Sequence, residues 1–273
     1  MSTSSPEWAL KLFRRSVLKQ QKWKAIASVL GPTEGLRCLD IGSDNGVISY
    51  LLRAGGGRWA SADLDEQAVA SIRSLVGSDV VLLNGGRMPF ADAEFDRVVL
   101  VDCLEHVQDD RAFMAELLRI ARPGGEMIFN VPLKKESWLR RVRHAIGQTD
   151  EAHGHLRSGY TPADLQELLG TSGELIRHQT YSRFFSEAVD TLMTWAIRRT
   201  KGTNSQPQAK GTIVTSQDLA RHRKLFALYT LVYPFLWAVS QLDRLLWFRT
   251  GYMLIARARV HGVPSQTPAG AAR

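Results

Sequence analysis

The chain has 273 residues, of which 44% are hydrophobic and 23% charged, so it can bury a sizeable core. This composition excludes a wholly disordered, a collagenous or a disulfide-stapled protein, and two cysteines are too few for a Cys-rich zinc site. The net charge of +8 is unevenly distributed. Residues 1–30 carry six bases and one acid, residues 31–194 carry 17 bases and 24 acids, and residues 195–273 carry 12 bases and two acids. Any surface that binds polyanions is therefore expected at the two basic ends.

The first 30 residues have the pattern of one basic, roughly amphipathic helix. Ser5-Pro6-Glu7 supplies a cap, a first-turn proline and an early acid, and Gly31-Pro32 ends the helix. Lys11 and two arginines interrupt the apolar run that begins at Trp8, so no secretory signal is expected. Cys38 and Cys103 lie in apolar runs, which predicts buried, reduced thiols in a cytoplasmic protein.

From residue 36 onward, short apolar runs alternate with helical patterns. This alternation is typical of an α/β protein with a doubly wound parallel sheet that is covered on both faces. The predicted strands are 36–41, 59–63, 80–83, 95–101 and 126–131, and the predicted helices are 46–54, 65–76 and 109–121. A helix that begins at Thr161-Pro162, a strand over 174–181 and a strand-like run over 252–256 follow.

Motifs that can carry chemistry follow the predicted strands. The turn Cys38–Gly46 is rich in glycine and aspartate, which lets backbone approach a ligand at the carboxyl end of a parallel strand. Asp63 ends the second strand, where a carboxylate can accept hydrogen bonds from both hydroxyls of a ribose. Asp65 is assigned to capping the next helix. The stretches Asn84–Phe90 and Asp102–Val107 come after later strands. Each motif alone fits ordinary turn chemistry, but their order and spacing are more specific.

With these motifs and the Pro123-Gly124-Gly125 loop, the chain resembles the class I S-adenosylmethionine-dependent methyltransferases, particularly the ubiquinone/menaquinone-type group. The resemblance covers roughly residues 36–182 and a strand near 252–260. It implies a seven-stranded, mostly parallel Rossmann-like sheet with an antiparallel last strand, and S-adenosyl-L-methionine as cofactor. It implies that the turn Gly42–Gly46, with Ser43 and Asp44, wraps the methionine part, that Asp63 binds the ribose, that Asn84 and Gly85 bind the adenine, and that Asp102 lies beside the cofactor. Asp40 and Leu64 complete the implied set of cofactor-binding residues.

Two positions depart from the family pattern. Asp44 stands where a glycine is usual, which makes the turn bulkier and adds a charge near a cationic sulfonium. Asn84 stands where an acid is frequent, and its amide oxygen can still accept a hydrogen bond from the adenine amino group. Neither change removes the binding site. Both, however, are compatible with the alternative that this protein has the family's fold but no catalytic activity.

Histidines supply the candidates for catalysis. Methyl transfer from a sulfonium is an in-line displacement, so a general base helps only if the acceptor must lose a proton. His153 and His155 precede the helix at Thr161, in a segment that borders the acceptor pocket in related methyltransferases, and either can serve as the base. The alternative is that one of them only hydrogen-bonds loop backbone. For His106 a packing and hydrogen-bonding role is favoured over catalysis, and no metal site is expected.

An insertion over residues 183–250 separates the last two strands. It is predicted to contain an amphipathic helix over 184–199, a mobile stretch over 200–217 and an uncharged run over 225–242 rich in aromatic residues. A membrane span is disfavoured, because the last strand would then lie across the membrane from the sheet that it completes. Three hypotheses for the insertion remain: it forms a lid over the active site, it lies on the membrane surface, or it does both.

These observations divide the chain into a basic helix (1–30), a methyltransferase domain (31–182 with 251–260), the insertion (183–250) and a disordered tail (261–273). The leading hypothesis is a methyltransferase whose acceptor is hydrophobic or lipid-linked, in the cytoplasm or peripheral on the inner membrane face, with an anionic membrane surface as a partner. An RNA methyltransferase that uses the basic ends and a non-catalytic scaffold of the same fold are the alternatives.

Overall fold

A computed structural model describes residues 7–149, 154–201 and 223–261. Its centre is a seven-stranded sheet in the order β3-β2-β1-β4-β5-β7-β6. Strands β1 to β5 run parallel, and β7 pairs antiparallel with both β5 and β6, which confirms the predicted fold class. The strands are β1 (Arg37–Ile41), β2 (Arg58–Asp63), β3 (Val80–Leu82), β4 (Phe95–Val101), β5 (Ala121–Pro132), β6 (Gly173–Tyr181) and β7 (Met253–Val260).

Helices flank the sheet on both faces. Among the described residues they are α1 (Glu7–Phe13), α2 (Val17–Leu30), α3 (Val47–Ala54), α4 (Glu66–Val76), α5 (Asp110–Ile120), α6 (Trp138–Ala145), α7 (Pro162–Leu169), α8 (Phe184–Lys201) and α9 (Arg223–Gln241). Short 3₁₀ turns lie at Leu104–His106, Gly170–Ser172 and Leu242–Leu246.

The apolar run of β4 shows why the sequence reads as a parallel sheet. Successive side chains of a strand point to opposite faces, so Val98 and Leu100 join one core cluster while Val99 and Val101 join the other. Both clusters are buried, and a strand covered on both faces needs apolar residues at every position. The two cysteines are buried free thiols, as predicted, and burial raises the pKa of Cys38 to about 11.

Strand β5 begins earlier than the predicted residue 126. Its pairing with β4 runs from Phe95 opposite Ala121 to Arg97 opposite Glu126, and the register shifts between these two pairs. The segment 122–125, which contains the Pro-Gly-Gly sequence expected to form a loop, therefore bulges out of the edge of the ladder. Residues 122–125 pair with neither β4 nor β7, so the predicted Pro-Gly-Gly loop is an irregular stretch within the bounds of β5, and regular pairing begins at the predicted residue 126.

The prediction of a single N-terminal helix was wrong. The chain forms α1 and α2 with a break at 14–16, and the Ser16 side chain caps α2 by accepting a hydrogen bond from the Lys19 backbone N–H at 3.3 Å. Helix α2 packs against β5 and β7.

Some predictions fall where the structure gives no description. The Ser5-Pro6 helix start, residues 202–217 of the expected mobile stretch, the tail beyond His261 and the candidate base His153 all lie outside the described residues.

Helix α6 has no counterpart in the predicted elements. It has only eight residues and four of them are basic, so Trp138, Leu139 and Val142 on its apolar side make too short a pattern to predict a helix. Its local signal is the Ser137 cap, whose side chain accepts a hydrogen bond from the Arg140 backbone N–H at 3.1 Å. Buried Leu139 anchors the helix.

The insertion folds against the N-terminal helices. Buried Asp243 accepts backbone hydrogen bonds from Arg183 and Phe185, at 2.8 Å each, and so fixes the start of α8. Helix α9 contacts α8 and α2, and Gln20 donates a hydrogen bond to the Tyr233 hydroxyl at 2.7 Å. None of the described helices is both long and apolar enough to cross a membrane.

A buried ion cluster ties α2 to the centre of the sheet. Glu126 on β5 accepts from Arg257 at 2.6 and 2.7 Å and from Arg97 at 2.5 Å. The same arginines donate to carbonyl oxygens at the end of α2 and just after it, including Val29 at 3.1 Å and Pro32 at 2.8 Å. Burial opposes ionisation of Glu126, but the two arginines hold its pKa below the ordinary value of 4.5.

Replacing Glu126 with alanine should lower the free energy of unfolding by about 3 kcal/mol, because the charges of Arg97 and Arg257 lose the carboxylate that neutralises them. Urea denaturation at pH 7 measures this loss. Since the pKa of Glu126 is depressed in the folded state, its contribution is present above pH 4.5 and is lost as the pH falls through the folded pKa. The matched control is Glu167→Ala, which removes an exposed pair with Arg111 and should cost about 0.5 kcal/mol. Equal losses in the two variants would contradict the assigned role.

Candidate active site

The turn after β1 is built around two glycines. Gly42 has φ +93°, and a Cβ there would lie 2.2 Å from the Val101 carbonyl oxygen of β4. Gly46 has φ +80°, and its Cβ would lie 2.7 Å from the Ile72 Cα of α4. These positions exclude any side chain, so the turn sits directly on β4 and α4 at the carboxyl edge of the sheet.

Asp40 lies beneath this turn and holds it in place. Its buried carboxylate accepts hydrogen bonds from the hydroxyls of Ser43 at 2.7 Å, Ser49 at 2.5 Å and Ser61 at 2.6 Å, with Arg53 Nη1 at 3.5 Å. Burial raises the pKa of Asp40, although the three hydroxyls oppose this. The predicted cofactor residues Asp40 and Ser43 are thus both buried and bonded to each other, which suits them to support the turn.

The next loop contains the predicted ribose and adenine residues. Asp63 is fully buried at the end of β2, and its Oδ1 accepts from the Asp65 backbone N–H at 3.1 Å. Asp65 caps α4 by accepting from the Ala68 backbone N–H at 2.9 Å, as predicted. Leu64 is half-buried and packs against the main core cluster.

The loop after β3 is exposed. Asn84 accepts from the Gly86 backbone N–H at 3.2 Å, and Gly85 has φ +78° with no heavy atom within 4 Å of where its Cβ would be. The backbone there is open enough for a flat ring to lie close to it.

Asp102 follows β4 with φ +45° and is held from two sides. Its Oδ1 accepts from Asn130 Nδ2 at 2.6 Å, and its Oδ2 pairs with the ammonium of Lys22. The Tyr181 hydroxyl in turn donates to Asn130 Oδ1. Asn130 and Tyr181 were not singled out in the sequence, although Asn130 is a polar residue inside the apolar run of β5, which is a detectable signal.

Helix α2 brings two lysines to the same edge. Burial works to lower the pKa of Lys22, but Asp102 and Asp44 together raise it above its ordinary value. Burial lowers the pKa of Lys19, with Asp44 opposing the change. The net charge of the N-terminal segment predicts a basic surface here, whereas in the structure Lys22 pairs with Asp102 and both lysines interact electrostatically with Asp44 in the turn after β1. Their spacing of three residues, which places both on one helix face, was the available signal.

The 3₁₀ turn after Asp102 carries a second polar cluster. His106 Nδ1 lies 2.9 Å from the Gly154 carbonyl oxygen, which agrees with the hydrogen-bonding role predicted for it. The rings of His106 and His155 meet edge to face with their centroids 4.9 Å apart, and Glu105 is buried beside them. The structure therefore places the candidate base His155 in this cluster, whereas the other candidate, His153, lies outside the described residues.

A cavity of about 260 Å³ adjoins Asp102. Glu105 and His155 line it beside Asp102, and α6, the start of α8 and the segment before β7 form its walls. Trp138 and Phe184 stack with ring centroids 6.4 Å apart and add aromatic surface to the lining. The lining also includes the basic side chains Lys135, Arg140, Arg143, Arg183 and Arg249.

The donor set fits S-adenosylmethionine, the cofactor implied by the resemblance. S-adenosylmethionine has ribose hydroxyls, which can donate hydrogen bonds to a buried carboxylate such as Asp63. It also carries a carboxylate, which matches Lys19 or Lys22, and an ammonium group, which matches Asp44. Because glycines form the turn after β1, its backbone approaches the cleft without side chains in the way.

Comparison with known proteins agrees with this geometry. Residues 39–129 match the model of a methyltransferase domain family. The chain is 33% identical to a demethylmenaquinone methyltransferase of Clavibacter sepedonicus over 118 residues, which cover 41% of this chain and 48% of that protein. It is also 33% identical to a ubiquinone biosynthesis O-methyltransferase of Parvibaculum lavamentivorans, over 37% of this chain and 42% of that protein. The chain therefore spans about half the length of these curated relatives.

Over residues 39–129, this chain is therefore similar to the domain of S-adenosylmethionine-dependent methyltransferases. A solved S-adenosylmethionine-dependent methyltransferase from Mesorhizobium loti shares the fold, with a TM-score of 0.54 and 14% identity over 88% of this chain and 97% of that one. The region that matches the family model runs from β1 to β5 and so includes the turn after β1, Asp63 and Asp102.

Replacing Gly42 with alanine should lower the free energy of unfolding by about 2–4 kcal/mol, because the added Cβ meets the Val101 carbonyl oxygen at a strained φ. The thermal stabilisation by S-adenosylhomocysteine should also disappear. The control Gly86→Ala lies in the same cleft, has no positive φ, and its Cβ would meet Asn84 Oδ1 at an ordinary 3.5 Å. It should change stability by about 0.5 kcal/mol or less. A Gly42→Ala protein as stable and as responsive as wild type would contradict this description of the turn.

Proposed function

We propose that this protein transfers the methyl group of S-adenosylmethionine to a hydrophobic or lipid-linked acceptor. The observation that carries the proposal is the cavity beside Asp102, which joins the predicted cofactor cleft to aromatic surface from α6 and α8. A methyl transfer needs the donor and acceptor to meet in line, and two adjoining sites at one sheet edge supply that alignment.

The cofactor would be held along the carboxyl edge of the sheet. Asp63 would accept the ribose hydroxyls, and the loop at Asn84 and Gly85 would receive the adenine. The turn Gly42–Gly46 would pass beneath the methionine part, and Lys22 would lie near its carboxylate. When bound, S-adenosylmethionine supplies a methyl group activated by its sulfonium charge. The residues of this chain then need only orient it, exclude water and manage the proton of the acceptor.

The cavity indicates the chemistry of the acceptor. Leu139 and Trp138 give it apolar and aromatic surface, which suits a hydrophobic ring or chain. Arg140, Arg143 and Arg183 also line it, so the acceptor is expected to carry a polar or anionic group at one end. The quinone-related names of the relatives support a hydrophobic acceptor. His155 lines the cavity and is our candidate for the base that removes a proton from the acceptor.

The contacts of the basic N-terminal helix argue against an RNA acceptor. Lys22 is 16% exposed in its side chain and pairs with Asp102, so it is not offered to phosphates outside the cleft. Lys19 faces Asp44. A non-catalytic scaffold would have no need to retain the turn, the Asp63 carboxylate and a cavity beside them.

We further propose that the insertion rests on an anionic membrane surface. Helix α9 turns Tyr233 toward α2 and buries Leu236, while Leu231 and Phe235 on another face are 78% and 69% exposed. Trp247 follows at 77% exposure. A helix that faced only water would carry polar residues there, whereas an interfacial helix carries aromatic and aliphatic ones.

Basic side chains occur in the segment that contains Trp247 and in the N-terminal region, where the Tyr229 hydroxyl of α9 donates to the Arg15 carbonyl oxygen. Arg244 and Arg249 are exposed in the segment that contains Trp247, and Lys11 and Arg14 are exposed on and just after α1. Lysine and arginine near a membrane surface are attracted by anionic head groups. The arrangement therefore favours a surface that contains anionic lipid over a neutral one.

Asp63→Asn should weaken S-adenosylhomocysteine binding about 10- to 100-fold, because an amide oxygen accepts less strongly than a carboxylate. Isothermal titration calorimetry gives the dissociation constants. The matched control is Asp65→Asn, which makes the same charge change two residues away and keeps a good helix cap. Equal affinities for both variants would remove Asp63 from the site.

The acceptor class is tested by incubating the protein with S-adenosylmethionine labelled in its methyl group and a whole-cell extract. The extract is then separated into lipid, aqueous and nucleic-acid fractions. Label should enter the lipid fraction and should be lost with Asp63→Asn. Label confined to RNA would overturn the proposed acceptor, and label in no fraction would favour the scaffold.

The triple variant Leu231→Gln, Phe235→Gln, Trp247→Gln should reduce co-sedimentation with anionic vesicles at least about fivefold, because each change removes apolar surface from the interface. The control Leu82→Gln, Ile176→Gln changes exposed apolar residues on β3 and β6 and should sediment like wild type. Wild-type protein that stays in the supernatant with anionic vesicles would refute membrane association.

A further inference from the structure

Glu105, His106 and His155 form a compact cluster at the edge of the acceptor cavity. The carboxylate is buried, the two imidazoles are half-buried, and one donor atom from each residue lies within 4.8 Å of the other two. Two imidazoles and a carboxylate are a donor set that first-row transition metals bind in proteins.

The tautomer of His106 is fixed by its surroundings. Its Nδ1 lies 2.9 Å from the Gly154 carbonyl oxygen, and a carbonyl oxygen can only accept. The Nδ1 atom therefore carries the proton and Nε2 carries the lone pair. A histidine that donates one ring N–H to a carbonyl and presents the other nitrogen has the arrangement that metal-binding histidines almost always show.

The backbone on both sides of His155 is fastened to the same 3₁₀ turn. Gly154 accepts from His106, and the Leu156 N–H donates to the Glu105 carbonyl oxygen at 2.9 Å. Arg157 continues the attachment by donating to the Val107 carbonyl oxygen at 3.0 Å. These bonds hold His155 against the turn, so the three donors are preorganised by the fold.

We propose that Glu105, His106 and His155 bind a divalent transition-metal ion such as Zn²⁺. Donors at about 2.1 Å from one ion lie at most about 4.2 Å apart, so small side-chain rotations bring the three together. This site departs from the expectation, drawn from the sequence, that the protein has no metal site. The sequence separates His155 from the other two by nearly fifty positions, and only the fold brings it to them.

The position of the site gives the ion a role. Glu105 and His155 both line the cavity, so an open coordination position would face the acceptor. This part of the inference rests on the proposed methyltransferase function. A hydroxyl oxygen of the acceptor would occupy that position, and the ion would lower the pKa of the hydroxyl so that its proton leaves to solvent. The acceptor atom would then be oxygen, and His155 would serve as a ligand in place of a base.

The test is a titration of the full chain, without a polyhistidine tag, with Co²⁺ as an optical probe. We expect one equivalent of Co²⁺ to give the d–d absorption bands of a nitrogen- and oxygen-bound ion, and one equivalent of Zn²⁺ to remove them. His155→Ala and Glu105→Gln should each weaken binding by about 100-fold or more. His178→Ala removes an exposed histidine on β6 and should bind like wild type.

Three results would overturn the site. They are no saturable Co²⁺ binding to wild type, binding that is unchanged in His155→Ala, and an equal loss in His178→Ala. His155→Ala decides the matter if Glu105→Gln does not fold, because His155 is only half-buried. S-adenosylhomocysteine binding, measured on the same samples, separates the two proposals. Co²⁺ binding without S-adenosylhomocysteine binding would support the metal site and refute the methyltransferase, and the reverse would refute only the metal site.

Discussion

The ion pair between Lys22 and Asp102 connects the parts of this protein that the sequence presents as separate. Asp102 follows β4 at the edge where the predicted cofactor site lies, and Lys22 belongs to α2, which precedes the first strand. Taking two charges out of water is costly, and the cost is offset when further hydrogen bonds satisfy the pair. Asn130 provides one such bond to Asp102, and the negative charge of Asp44 also favours the ammonium.

The helix that carries Lys22 is held at its other end as well. Arg97 and Arg257, clamped by Glu126, bond the carbonyl groups at the end of α2. The insertion then packs on α2 through the bond between Gln20 and Tyr233. Helix α2 therefore contacts both the sheet and the insertion. A substitution in α2 is expected to affect both the cofactor cleft and the apolar surface of α9.

The sheet was largely predictable because its signals are local. The strand β4 was placed at its observed bounds, since both faces of the sheet cover it and its apolar run is continuous. Asp65 was assigned to its cap from the adjacent helix pattern alone. Helix α6 was not predicted because it has only eight residues, four of them basic, and its apolar side is too short to give a clear periodic pattern.

The site was predictable only in part, because it is assembled from distant segments. Gly42 follows the last residue of β1 and Asp63 is the last residue of β2, so the strand pattern beside each of them indicates its place. The approach of Lys22 to Asp102, and of His155 to Glu105 and His106, depends on tertiary packing that no spacing in the sequence records. The net charge of the N-terminal segment predicts a basic surface. In the fold, however, Lys22 lies in the cleft and pairs with Asp102.

We infer that α2 closes over a cofactor cleft at the carboxyl edge of the sheet. A crystal structure of the protein with S-adenosylhomocysteine tests it most directly. We predict the ribose hydroxyls on the Asp63 carboxylate, the methionine part over the turn at Gly42, and α2 still in place with Lys22 beside the ligand carboxylate. A ligand bound elsewhere, or α2 displaced from Asp102 to admit it, would contradict this account.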